Sequence, residues 1–162
     1  ASDVYKRQVK VLASGQASDT LALAHRKNIC EFKATSIAAS KAFKQAKLTP
    51  SDVQIAEVHD NFTISEILAI EDLGFFPKGE GGKATENGET EIGSKLAVNT
   101  SGGLKARGDP MGATGIAQIV ELVTQLRGEA GKRQVPDAKV GLAQNVGGTG
   151  ATAVVNILER VN

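Results

Sequence analysis

Three short stretches of the chain hold residues able to do chemistry. The first, His59-Asp60-Asn61-Phe62, follows an apolar run and offers an imidazole, whose N–H can stabilise negative charge developing in a transition state. The second, GGLKARGDPMGATG at residues 102–115, packs five glycines and one proline into fourteen residues directly before a helical pattern. A backbone so rich in glycine comes close to a ligand, and the helix after it presents free N–H groups to an anion or oxyanion. The third, QNVGGTG at residues 144–150, is a glycine-rich turn between two apolar runs. Plainer readings stand beside these: a strand-end histidine bonded to a neighbouring loop, and a surface loop with Asp109-Pro110 as an ordinary turn pair.

The elements that would position these stretches alternate in an α/β manner. Residues 9–13 read as a strand ended by Ser14-Gly15, and residues 32–47 as a helix with Ile37, Ala38, Ala42 and Ala46 near helical spacing. Residues 49–52 break that helix, and residues 54–58 form a short buried strand. Thr63-Ile64-Ser65-Glu66 carries a capping-box signature for a helix that Gly74 stops, with Ile67, Leu68, Ile70 and Leu73 as its apolar face. A long glycine- and glutamate-rich loop covers residues 77–95, and a strand covers 96–99. After the glycine loop, residues 112–127 predict a helix whose stripe is Ile116, Ile119, Val120 and Val123. Residues 140–143 and 151–158 close the chain as two strands. The pattern predicts one α/β domain of layered α/β/α type over residues 9–162, with residues 1–8 a non-native or disordered start. Ligands of open α/β sheets bind beyond the carboxyl ends of strands, so three such turns after strand ends predict one shared site.

Bulk properties narrow the function. The 162 residues suit a single domain with a real core. Nineteen basic and eighteen acidic side chains leave no basic stripe for nucleic acid, Lys105 and Arg107 being a local exception. Cys30 is the single cysteine, so the chain has neither an intrachain disulfide nor a cysteine zinc site, and a reducing, cytoplasmic setting is expected. Cys30 itself reads as a small, partly buried side chain. No apolar run approaches the roughly eighteen residues of a membrane span. His25 lies in a polar stretch and reads as surface.

Taken in order, VHDNFTISEILAIEDLGF, NTSGGLKARGDPMGATG and QNVGGTGATAVVNIL resemble three segments of the C-terminal half of thiolases. They are closest to the archaeal and sterol-carrier-protein-type members. The resemblance covers residues 9–162 and implies a thiolase-like layered α/β/α domain with a mixed five-stranded sheet. It implies a C-terminal half that supplies oxyanion-hole and acyl-coenzyme A loops to an acyltransferase acting on 3-oxoacyl thioesters by thiolysis or Claisen condensation. Coenzyme A thioester would be the substrate, with no further cofactor and no metal. The nucleophilic cysteine would come from the N-terminal half, leaving this chain inactive alone and self-associating through apolar surface meant for that half. Homo-oligomers are implied, as are a hydroxymethylglutaryl-coenzyme A synthase and a small OB-fold protein as partners.

By the same resemblance, His59 donates near the thioester oxygen and Gly147 offers a backbone oxyanion donor. Asn61, Phe62, Gly102, Gly103, Gly108, Pro110 and Gly148 fall on substrate-binding positions. Two departures stand out. Asp109 occupies the place of a histidine that activates the nucleophile and donates to an oxyanion. A carboxyl with a reference pKa of about 4 is ionised near neutrality unless buried, and it donates nothing. Asn145 occupies the place of an acid/base cysteine, and Asn61 the alternative place for that thiol. These departures keep a second reading open: a non-catalytic module of the same fold that binds acyl-coenzyme A or scaffolds a partner. A generic α/β binding domain is the third.

Overall fold

The computed structural model describes residues 8–161. Residues 1–7, most of the expected non-native start, lie outside them; Gln8 lies inside, its carbonyl accepting the Val161 N–H at 2.9 Å. In chain order the elements are β1 (Val9–Ser18), α1 (Lys33–Ala46), β2 (Ile55–Glu57), α2 (Thr63–Asp72), α3 (Gly81–Glu86), β3 (Ala97–Val98), α4 (Gly103–Arg107), α5 (Thr114–Leu126), β4 (Val140–Gly147) and β5 (Thr152–Arg160). The five strands form one sheet in the order β1-β5-β4-β2-β3. β2 pairs in parallel with β3 and β4, whereas β5 runs antiparallel to β4 and β1. The sheet is therefore mixed, and β1, β2, β3 and β4 all end at the same edge.

Side chains alternate across the sheet, so each strand feeds two cores. Ala56, Leu142, Val155 and Ile157 face α1 and α2, joined there by Ala34, Ala38, Ala39, Ala42 and Leu73. Ile55, Ala97, Ala143 and Leu158 face α5, joined by Leu122 and Leu126. This is the layered α/β/α arrangement. Alanine serves two ends in α1: high helix propensity, and a side chain small enough for the helix to lie close on the strands. Gly15 takes that closeness furthest, since a Cβ there would run into the Ala38 carbonyl.

Several expectations need correction. β1 does not end at Ser14-Gly15 but continues to Ser18, because β5 pairs with it along that whole length. Ile37 points outward from α1. No side-chain cap forms at Phe62, which precedes α2, and the Glu66 carboxylate instead accepts from Asn99 Nδ2 at 2.6 Å. The tertiary partner outcompetes the local capping box. The long loop 77–95 contains α3, and the glycine loop contains the single-turn helix α4. β4 extends through Gly147, so the third turn is only residues 148–151. Cys30 is exposed rather than partly buried. No helix among the described residues is long and apolar enough to cross a membrane.

The largest correction concerns α5. Only half of its apolar stripe faces the sheet: Ile119 and Val123 pack, half-buried, against the core around Ile55 and Leu158, whereas Ile116 is 67% exposed and Val120 58%. The buried face carries Thr114, Gln118, Glu121, Leu122, Gln125 and Leu126.

Candidate functional site

The shared polarity of β2, β3 and β4 brings the three chemical stretches to one edge. His59 follows β2, the glycine loop follows β3, and Asn145 and Gly147 lie at the end of β4. Between them opens a cavity of about 660 Å³, lined in part by His59, Asn61, Asp109, Thr114, Asn145 and Gly147, with Gly148 at its rim. Its apolar wall includes Met111, Ile116, Ala143 and Val154.

His59 is buried and held by backbone and ring alike. Its N–H donates to Gln144 Oε1 at 3.0 Å, and Gln144 Nε2 donates onward to Thr35 Oγ1 at 3.0 Å. Its ring Nδ1 lies 3.0 Å from Asn145 Nδ2, and its Nε2 lies 3.5 Å from Asp109 Oδ2. Burial pushes the His59 pKa below its usual value, outweighing the Asp109 and Asp60 carboxylates that pull it up; Arg107 adds to the lowering. The imidazole is therefore neutral near pH 7, the state in which it carries one donor and one acceptor. Asp109 also accepts the Thr114 hydroxyl at 2.7 Å, which ties the loop to the first residue of α5.

Beneath the glycine loop lies a polar network. Glu57, the last residue of β2, accepts Ser101 Oγ at 2.5 Å, Ser101 N at 3.1 Å and Thr100 Oγ1 at 3.2 Å. Burial raises its pKa, with the Glu121 carboxylate adding to the rise against the Ser101 bonds and Arg107. Glu121 moves the other way: burial pushes it up, but Arg133, Gln125 and Thr100 together bring it below the ordinary value. Arg107 reaches Ser101 Oγ at 3.0 Å and Glu57 at 3.5 Å, while its Nε and Nη2 are buried with no protein acceptor. Arg107 thus anchors the end of α4, one residue before Gly108-Asp109.

The remaining sequence-selected positions separate. Gly103 is buried against Asp60, its φ of 64° and the oxygen of that carboxylate leaving no room for a Cβ. Asp60 also accepts the Leu104 N–H at 2.9 Å, so the pair pins α4 in place. Gly102 lines a separate cavity beside α2, with Asp60, Glu66 and Lys105. Gly108, Pro110 and the exposed Phe62 are not among the residues lining the His59 cavity.

Residues that sequence reading passed over prove structurally central. Gln118 is a fully buried polar group behind His59, beside the equally buried Gln144 that opens the third stretch. Arg26 donates to Thr20 O, Thr149 O and Thr149 Oγ1 at 2.8–3.1 Å, clamping the connection after β1 to the turn after β4. One signal for Glu57 was available, a carboxylate inside the apolar run QIAEV. No cluster of three or more potential metal ligands occurs among the described residues.

Comparison with known proteins adds a lineage to this geometry. The family model described as thiolase C-terminal domain-like matches residues 15–160. The acetyl-CoA acetyltransferase of Methanothermobacter thermautotrophicus is 60% identical over 152 residues, covering 94% of this chain and 40% of the relative. Sterol carrier protein 2 of Homo sapiens is 43% identical over 151 residues, covering 91% of the chain and 28% of the relative. Among solved structures, the Ltp2-ChsH2(DUF35) aldolase superposes with a TM-score of 0.82 at 27% identity, covering 94% of this chain and 39% of that one. The chain thus spans two fifths or less of the length of these proteins.

Proposed function

The chain belongs to the thiolase family as its C-terminal domain, and from that premise we propose that it forms one wall of an acyl-coenzyme A site in a longer acyltransferase. The observation that carries this reading is the convergence of His59, Asp109, Asn145 and Gly147 on one cavity at the carboxyl edge of parallel strands. In that role His59 orients the ligand, and the Gly147 amide serves as a donor to the thioester oxygen, a use that needs no side chain. Coenzyme A thioester is the substrate and no further cofactor is invoked.

An activated nucleophile is the part this wall does not supply. The exposed Cys30 lies on the connection between β1 and α1 and does not line the cavity. Acyl transfer therefore draws its thiol from an N-terminal half, and the outward stripe of α5 is the surface we assign to that half. Homo-oligomerisation, a cytoplasmic setting, and association with a hydroxymethylglutaryl-coenzyme A synthase and an OB-fold protein belong to the same proposal.

Acetoacetyl-coenzyme A cleavage tests it. The chain alone should show no thiolysis above background, and the chain joined to an N-terminal half bearing a cysteine should bind acyl-coenzyme A. Turnover by the chain alone would sink the reading. Asp109 favours a second reading, a non-catalytic acyl-coenzyme A module. If Asp109→His leaves an inactive full-length protein inactive, that second reading gains. If the native protein is active and already as fast as the variant, it falls.

A further inference from the structure

The tip that joins β4 to β5 reads Gly147-Gly148-Thr149-Gly150, and Gly148 and Gly150 stand at positive φ, 59° and 80°. Gly147 and Gly148 line the cavity, where a glycine offers only main chain. A segment of this kind has little side chain to hold it and loses the most freedom when it is fixed. Its internal bond, from the Gly150 N–H to Gly147 O, spans 3.2 Å, the long end of the ordinary range.

The firmer hold comes from the connection between β1 and α1. The Asp19 N–H donates to Ala151 O at 2.7 Å, and Thr149 Oγ1 donates to Leu21 O at 2.7 Å. The Phe32 ring lies so close on Gly150 that a Cβ there would overlap it. Arg26 closes the arrangement: Nη1 donates to Thr149 O at 2.9 Å, Nη2 to Thr149 Oγ1 at 3.1 Å and Nε to Thr20 O at 2.8 Å. Its side chain is only 3% exposed, with Asp19 Oδ2 3.9 Å from Nε. Burying a guanidinium among neutral acceptors is costly, and a planar fork is the group that grips two oxygens of one residue together. Below the tip the hairpin is already held, β4 and β5 pairing from Val140 with Glu159 to Gly147 with Thr152. Arg26 does not line the cavity, so what it adds there is the setting of the tip.

We propose that Arg26 is a positioning residue of the acyl-coenzyme A site: acting through Thr149, it fixes the main chain that Gly147 and Gly148 present to the acyl carbonyl. Backbone dipoles stabilise developing charge only when they are aimed beforehand. The assignment rests on the acyl-thioester reading above and adds a residue to it. It is tested in the full-length protein containing this chain, with acetyl-carba(dethia)-coenzyme A, whose ketone keeps the carbonyl and cannot transfer its acyl group, and with coenzyme A, which lacks that carbonyl. In calorimetric titration Arg26→Met should weaken the ketone at least about fivefold, the scale of one lost hydrogen bond, and coenzyme A by less than about twofold. Thr149→Val should do the same, the double variant should be no worse than the weaker single one, and Thr149→Ser, which keeps the hydroxyl, should match the native protein. With nitrogen-15 glycine labelling, the amide order parameters of Gly148 and Gly150 should fall from about 0.85 to below about 0.6 in Arg26→Met. An unweakened ketone, equal weakening of both compounds, additive losses in the double variant, or tip amides as rigid as the native ones overturn the assignment and leave the acyl-thioester reading intact. Binding of neither compound by the native protein overturns both. Thr149→Val decides where Arg26→Met fails to fold.

Discussion

Helices α1 and α5 lie on opposite faces of one sheet and bury opposite kinds of surface. α1 turns Ala34, Ala38, Ala39, Ala42 and Phe43 inward and leaves its lysines in solvent, the ordinary amphipathic solution. α5 turns Gln118, Glu121 and Gln125 inward beside two leucines, and holds Ile116 and Val120 out. Each inward polar group of α5 is answered: Gln118 by Gln144 O, Glu121 by Arg133, Gln125 by Arg133 O and by the Val135 N–H. Burying them is tolerable because they are paired, and they hold the loops that carry the site. The difference teaches that α1 closes its apolar face within this domain, while α5 leaves Ile116 and Val120 uncovered.

The comparison is broken most severely on the α1 side. Ala38 has no exposed surface and lies within the apolar core between α1 and the sheet. Ala38→Asp buries an unpaired carboxylate and should cost more than about 4 kcal/mol, enough to unfold the chain. Circular dichroism in a urea titration reads this directly. A variant that keeps its far-ultraviolet spectrum and loses under about 1 kcal/mol would show that the α1 face is not a sealed core.

On the α5 side an inward substitution should hurt less and differently. Gln118→Leu keeps the volume but strands the Gln144 carbonyl and one Asn145 hydrogen, for a loss of about 1–3 kcal/mol. It should also blur the His59 tautomer. Nitrogen-15 ring shifts of His59 should show one Nε2–H species in the native chain and a mixture in the variant. An unchanged ring spectrum would mean that the Gln118–Asn145 link does not set the proton.

How much of this was legible beforehand differs between the same two helices. The alanine spacing of α1 and the order of the motif segments carried the fold, because local pattern and burial agree there. Around α5 they disagree. Ile116, Ile119, Val120 and Val123 form a stripe that reads as a core face in one sequence, since periodicity reports an apolar face without saying which neighbour covers it. His59, Asn61, Asp109, Asn145, Gly147 and Gly148 do line one cavity, because parallel strand ends share an edge. Gly102 and Gly103 read as ligand contacts, yet Gly103 clears space for Asp60 and Gly102 borders a different hollow. A glycine that approaches a ligand and one that approaches a side chain look alike in sequence. Gln118 and Arg26 gave no signal, and Gln144 only as the first residue of a glycine-rich turn, because a buried amide or guanidinium is distinguishable from a surface one only once its partners are placed.

Acid should sharpen the contrast, since the α5 side holds groups that titrate in burial. His59 sits below its ordinary pKa, so on acidification the unfolded chain takes its proton before the native one does. Its contribution to stability is therefore full above about pH 6.5 and declines below that, by at most about 1.4 kcal/mol per pH unit. Glu57 has the opposite sign: held above its ordinary value, the native chain takes that proton first, which favours the fold as pH falls toward about 4.5. His59→Gln removes only the first effect. Melting temperatures between pH 7.5 and 5.5 should therefore drop more for the native chain than for His59→Gln, and parallel curves would assign the acid response elsewhere.

The smallest effect on stability falls on the outward stripe of α5, and it discriminates best. Val120 is 58% exposed, so Val120→Asp removes little buried surface and changes helix propensity hardly at all. In this chain alone the substitution should shift the urea midpoint by no more than about 0.5 kcal/mol in stability. If the stripe awaits an N-terminal half, the same charge placed against an apolar partner should abolish co-purification with that half and reduce self-association of the isolated chain in sedimentation. A large loss of stability in the chain alone would make the stripe part of this domain's own core. Unchanged association would leave α5 as a helix with a greasy but idle face, and the contrast with α1 would lose its functional meaning.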